Sequence, residues 1–168
     1  MDKMSSKKGI AVTIIILIAI TAGSFLFWMI PQESQMSIVI SNYENYLDGT
    51  KEIHSILYQT ISDEFQNLKD QNISPEKYLE TADVTSSQVS SKISEFVISK
   101  PPNEWQDSYI AYMDALKTFN SYITETKVYA NLVKDEKIDK LEGILEKIES
   151  LKAESEMFIE MSDNSRPE

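Results

Sequence analysis

The sequence predicts an all-α protein: an N-terminal transmembrane helix followed by an antiparallel up-and-down bundle of about four helices. Three observations lead there. Residues 9–30 carry no charge. Over most of the remaining chain, apolar residues recur at alternating steps of three and four, the spacing of one helix face. Only 4 Gly and 5 Pro occur in 168 residues, too few for the many turns of an all-β fold.

The charge-free run from Gly9 to Ile30 (GIAVTIIILIAITAGSFLFWMI) has 22 residues. As a helix it spans about 33 Å, the thickness of a bilayer core. Trp28 sits near its outer end, where an indole prefers the headgroup level, and Pro31 ends regular helix. Lys3, Lys7 and Lys8 precede the run, and the first basic residue after it is Lys51. The positive-inside bias therefore puts 1–8 in the cytoplasm, 9–30 in the membrane as a single-pass signal-anchor, and everything from 31 onward outside the cytoplasm. Two rival readings use the same residues. Thr21-Ala22-Gly23 offers small residues for cleavage of a secretory signal, but Phe25 to Ile30 prolongs the apolar run beyond the usual 7–15 or so residues. Lys8-Gly9-Ile10-Ala11 resembles the cleavage site of archaeal pilin-type signals, where the cut after Gly leaves the apolar helix for filament assembly.

About 135 residues remain, the size of one domain. Without Asp2, Lys3, Lys7 and Lys8 the totals of 16 basic and 27 acidic residues fall to 13 and 26, a net charge of −13. Such a domain repels phosphates, which argues against a nucleic-acid partner. Cysteine is absent, so disulfides, thiolate metal sites and covalent haem attachment are excluded.

The first exported helix is expected from about Met36 to Lys69, with Tyr43, Tyr46 or Leu47, Thr50, Ile53, Leu57, Ile61, Phe65 and Leu68 on one face. Asp70-Gln71-Asn72 makes the turn. Ser74-Pro75-Glu76 then supplies a cap, a proline at the first helical position and an early acid. The second helix carries Tyr78, Ala82, Thr85, Val89, Ile93, Phe96 and Val97, and stops before Lys100-Pro101-Pro102. The third has the strictest pattern: Trp105, Tyr109, Tyr112, Leu116, Phe119, Ile123, Thr126, Ala130 and Val133 form a heptad seam. Its phase breaks near Lys134–Lys137. There Asp135 is read as the cap of a fourth helix burying Ile138, Leu141, Ile144, Leu145, Ile148, Leu151 and Phe158, with a kinked continuation of the third as the alternative. The bundle is thus assigned to 31–161 and a flexible tail to 162–168.

Chemistry has few candidates. A di-iron site needs two Glu-x-x-His pairs, and the chain has one His, His54, read as a boundary residue beside Ile53 and Leu57. The same scarcity disfavours a Ser-His-Asp set and haem ligation. Asp139, Glu142 and Glu146 could face a cation, but Lys137, Lys140 and Lys147 interleave with them as on a solvated, salt-bridged face. No cofactor or metal is expected, and no catalytic residue is assigned. Asn72-Ile73-Ser74 is a glycosylation sequon followed by an unfavourable Pro75. The remaining feature is aromatic: Trp105, Tyr109, Tyr112, Phe119 and Tyr122 are the candidate binding surface, against the alternative that these rings fill the core.

At Lys7-Lys8-Gly9-Ile10, Phe27-Trp28-Met29-Ile30-Pro31-Gln32, Asp83 to Val89 and Lys100-Pro101-Pro102-Asn103-Glu104-Trp105-Gln106-Asp107-Ser108-Tyr109, the chain resembles a group of small archaeal membrane-anchored helical proteins with no assigned activity. The resemblance implies an archaeal source and the topology above, and nothing about chemistry. The functional expectation is a non-enzymatic, membrane-tethered, extracytoplasmic interaction module with a protein partner. The alternatives are a pilin-like subunit processed after Gly9 and a small-molecule-binding or sensory ectodomain.

Overall fold

The computed structural model describes residues 40–167, all within the unit Ser37–Glu168. The expected cytoplasmic stretch 1–8, the anchor 9–30 and the start of the first helix at Met36 lie outside the described residues. Among the described residues no helix is long and apolar enough to cross a membrane, and no strand forms. Four α-helices account for nearly all of them: α1 (Tyr43–Lys69), α2 (Pro75–Ser99), α3 (Gln106–Lys134) and α4 (Leu141–Asn164), with short 3₁₀ turns at Asn103–Trp105 and Ile138–Lys140.

Helix ends follow from local hydrogen bonding. Asn42 is extended, and its side-chain oxygen accepts the Asn45 N–H at 2.9 Å, so α1 starts at Tyr43. Its end is closed by Gln71 in the left-handed region (φ 60°). The Asn72 N–H there donates to the Asn67 carbonyl at 2.8 Å and the Gln71 N–H to Leu68 at 3.1 Å. Ser74 and Pro75 start α2 as read from the sequence. The same closure ends α3: Glu136 adopts φ 57°, Lys137 N–H donates to Leu132 at 2.9 Å and Glu136 N–H to Val133 at 3.1 Å. Asp135 is therefore the C-cap of α3 and not the cap of the next helix, and the kinked-continuation alternative fails.

The helices alternate in direction. Tyr46 near the start of α1 donates to Glu95 near the end of α2 at 3.1 Å, Lys134 at the end of α3 pairs with Glu76 at the start of α2 at 3.2 Å, and Lys147 of α4 pairs with Glu125 of α3 at 2.7 Å. Across the bundle α1 and α3 run parallel, with Tyr43 on Tyr109 at one end and Phe65 on Tyr129 at the other.

Helix α3 lies at the centre. Tyr109, Tyr112, Leu116, Phe119, Ile123, Thr126 and Ala130 are buried, as their heptad spacing predicts. A second row, Ser108, Ala115, Tyr122 and Tyr129, is buried as well and recurs every seventh residue. It faces a matching row on α4: Ile148, Ser155 and Ser162. The Ser108 hydroxyl donates to the Ser162 carbonyl at 2.8 Å, and the Ser155 hydroxyl to the Ala115 carbonyl at 3.1 Å.

Four sequence expectations are corrected. Val97 is exposed because Phe96 beside it takes the inward position, and Ile53 is exposed because His54 does. Ile138 lies in the 3₁₀ turn, 72% exposed, before α4 reaches the core. The tail expected from Ser162 is docked instead: Ser162 is fully buried, and Arg166 pairs with Asp48 at 2.6 Å and Asp163 at 3.1 Å.

Phe119→Ala or Leu116→Ala should cost about 2–5 kcal/mol through lost burial and the cavity left. Lys117→Ala removes one exposed pair with Asp114 and should cost less than about 0.5 kcal/mol. Asn120, outside the seam but hydrogen-bonded to Ser86 at 2.7 Å, should fall between them at about 1 kcal/mol. Chemical denaturation of the full chain in detergent micelles measures all four.

Candidate functional site

The cavity that brings titratable side chains together lies between α1 and α4, with α3 as its floor. It encloses about 240 Å³ and is lined by Lys51, His54, Ser55 and Tyr58 of α1, Tyr112 of α3, and Lys152, Ser155, Glu156 and Ile159 of α4.

His54 stands at the bottom because of its phase. Leu47, His54, Ile61 and Leu68 recur at seven-residue spacing and all four are buried. The histidine thus occupies a core position, not the boundary position assigned from its neighbours in sequence. Its Nδ1 lies 3.0 Å from the Tyr112 hydroxyl. The imidazole packs on Phe119, ring centroids 4.6 Å apart, and Tyr58 continues the aromatic layer onto Phe119 and Tyr122.

Burial sets the protonation state of this pair. With no facing carboxylate among its hydrogen-bond partners, the imidazole loses solvation without compensation, and its pKa falls to about 4. The Tyr112 phenol is raised far above its ordinary range, first by burial and then by the Asp163 charge. Both groups are therefore neutral at pH 7. Two protons belong to the pair, one on the imidazole and one on the phenol. One is consumed in the His54–Tyr112 hydrogen bond, whichever tautomer is present, and the other remains to be donated.

The mouth is charged. Lys51 Nζ is 2.6 Å from Asp163. A hydrogen bond donated to the Tyr58 hydroxyl, followed by the carboxylates Glu149 and Glu156, holds the Lys152 ammonium above the usual lysine range. The arrangement offers a neutral donor at depth, an apolar side wall and charges of both signs at the rim. It lacks the carboxylate that orients the histidine of a hydrolytic triad.

The sequence-predicted binding surface is redistributed. Tyr109, Tyr112, Phe119 and Tyr122 are buried and Trp105 is half-buried against Tyr109. They make no exposed face, because α3 is surrounded by the other three helices. Only Tyr112 reaches the cavity. Asp139, Glu142 and Glu146 are exposed, and among the described residues no three potential ligands converge as a metal site would need. The sequence reading missed Lys51, His54, Lys152, Ser155 and Glu156. Two of these carried a signal: His54 in the seven-residue row of α1, and Ser155 midway between Ile148 and Ser162.

Comparison with protein-family models, with curated proteins and with solved structures finds no match to this chain.

The buried histidine gives stability a defined pH dependence. Its folded pKa, about 4, lies below the ordinary unfolded value of about 6.5. The unfolded chain therefore binds the proton first on acidification. Stability from this group is complete above pH of about 6.5, declines as pH falls toward 4 and then levels, a loss of about 3 kcal/mol. Unfolding free energies between pH 4 and 7 should show this component in the native chain and lack it in His54→Gln. Parallel profiles for the two proteins would refute the assignment.

Proposed function

We propose that this chain is a membrane-tethered, extracytoplasmic helical binding module, not an enzyme, and that its bundle binds a small molecule in the cavity between α1 and α4. One observation carries the reading: a neutral His54–Tyr112 pair with a proton to spare, buried at the foot of an open cavity. A core position filled by a polar pair where leucine and isoleucine occupy the equivalent positions sacrifices packing, and a hydrogen-bonding ligand accounts for that choice. The tether and its orientation rest on the uncharged run 9–30 and on Lys3, Lys7 and Lys8 ahead of it. This reading moves the weight from a protein partner, favoured by the sequence alone, to a small ligand.

A ligand that saturates the folded state about 100-fold above its Kd adds about 2.7 kcal/mol. Full-length chain in detergent micelles, screened with amino acids, organic acids, amines, sugars and nucleosides, should therefore show a melting-temperature rise of several degrees with at least one of them. Ser55→Trp, placed at the exposed lip of the cavity, should abolish the rise. A screen in which no compound shifts the native chain, or in which Ser55→Trp responds equally, overturns the proposal. Protease added to intact cells should remove the bundle, and protection of it until lysis would reverse the orientation.

A further inference from the structure

We infer that the ligand of the α1–α4 cavity is a zwitterion of amino-acid size with an apolar side chain. This deepens the small-molecule reading above and rests on it. Size is the first constraint. About 240 Å³ is room for roughly eight waters at their liquid volume. It is below the range of about 300–1,000 Å³ that holds drug-sized molecules, so the part of a ligand seated inside is of amino-acid size.

Charge is the second constraint. Three ionised groups line the cavity: Lys51, Lys152 and Glu156. Lys51 is already compensated by Asp163 at 2.6 Å. Lys152 and Glu156 lie four residues apart on one face of α4, yet the described ion pairs include none between them. Lysine ahead of glutamate is the weaker order for such a pair on a helix, and Lys152 turns instead to the Tyr58 hydroxyl. One cation and one anion therefore stand at the mouth, about one helical turn apart, each within reach of the other's field but with no direct ion pair described between them. A simple anion leaves Glu156 facing it, and a simple cation leaves Lys152. A molecule carrying an ammonium and a carboxylate on one carbon satisfies both.

The third constraint is depth. The spare proton of the His54–Tyr112 pair is a donor, suited to a carboxylate oxygen and useless to an ammonium. Tyr58 and Ile159 flank it with apolar surface. The carboxylate thus takes Lys152 and the buried donor, the ammonium takes Glu156, and the side chain lies along Tyr58 and Ile159.

The test titrates full-length chain in detergent micelles with L-leucine, L-isoleucine, L-methionine and L-phenylalanine. Alongside are isocaproate and hydrocinnamate, which lack the ammonium, and isoamylamine and phenethylamine, which lack the carboxylate. At least one amino acid should bind saturably, and its two partial analogues should bind about tenfold or more weakly. Glu156→Gln should erase the preference for the amino acid over its deaminated analogue, weakening the amino acid and strengthening the analogue, whose carboxylate no longer faces a like charge. His54→Phe combined with Tyr112→Phe, which removes both protons of the pair, should weaken both acids, with circular dichroism confirming that the variant folds. If the deaminated acid or the amine binds as well as the amino acid, or if only a compound of another class from the wider screen binds, the zwitterion assignment is overturned while the small-molecule reading stands. If nothing binds in either experiment, both fall.

Discussion

Two serine hydroxyls set the distance between α3 and α4, and the rest of the bundle is arranged around that distance. Ser108 and Ser155 each donate to a backbone carbonyl of the opposite helix. A hydroxyl reaches a neighbouring backbone only where no larger side chain intervenes, so Ala115, Ser155 and Ser162 draw these two helices close. Each bond adds about 0.5–1.5 kcal/mol net, and the larger effect is geometric. With α4 tight on α3 at Ser108 and Ala115, the bulky residues beside these two lie on the other flank. Tyr109, Tyr112 and Phe119 fill the space toward α1 and α2 and meet Tyr43, Tyr46, His54, Tyr58 and Phe96 there. The aromatic layer wedges α1 away from α4, and the two barely touch along their length. The cavity is the gap that this asymmetry leaves.

The chemistry at its floor follows from the same packing. His54 sits in a row with Leu47, Ile61 and Leu68, positions where an aliphatic side chain would bury without any desolvation of polar atoms. Imidazole there is tolerated because Tyr112 supplies one partner and because the neutral form is available at physiological pH. A leucine at the same position would remove the acid sensitivity and leave the Tyr112 hydroxyl without its partner. The polar pair is thus a local departure from the consistency seen elsewhere in the core, and such departures concentrate where a site is built.

How much of this was legible depended on residue size and on sequence distance. The α3 seam was plain because eight large or β-branched residues hold a strict heptad, and the α1–α2 turn was plain because Ser74-Pro75 is a cap followed by proline. The second face of α3 was not: Ser108 and Ala115 are small, and serine at a buried position looks in sequence like serine on a surface. His54 was hidden by Ile53, which scored as the apolar member of its turn although the helix points it outward. The end of α3 was placed correctly near Lys134, but Asp135 was read as the cap of the next helix because the left-handed residue that closes α3, Glu136, is not a glycine. The docked C-terminal end was invisible for a different reason, since Arg166 and Asp48 are 118 positions apart. Of the candidate binding residues named from sequence, Tyr112 alone reaches the cavity, because a list of aromatics on the most regular helix selects the centre of a bundle and not its openings.

What ties α1 to α4 is polar, and this decides how the cavity behaves. At one end Arg166 joins Asp48 to Asp163, which also holds Lys51, a chain of four charges linking the end of α4 to the first turns of α1. At the other end Lys152 reaches Tyr58. These groups are partly exposed, so each pair alone contributes about 0–1 kcal/mol and is weakened by salt. An apolar seam would fix the two helices at one spacing by close packing. Two polar ties at the ends of a groove hold it against a background of solvent competition, and His54 and Ser55, between them, line the cavity. A ligand with unlike charges supplies there the kind of contact that the ends already use. The site and the closure of the bundle therefore draw on the same interaction.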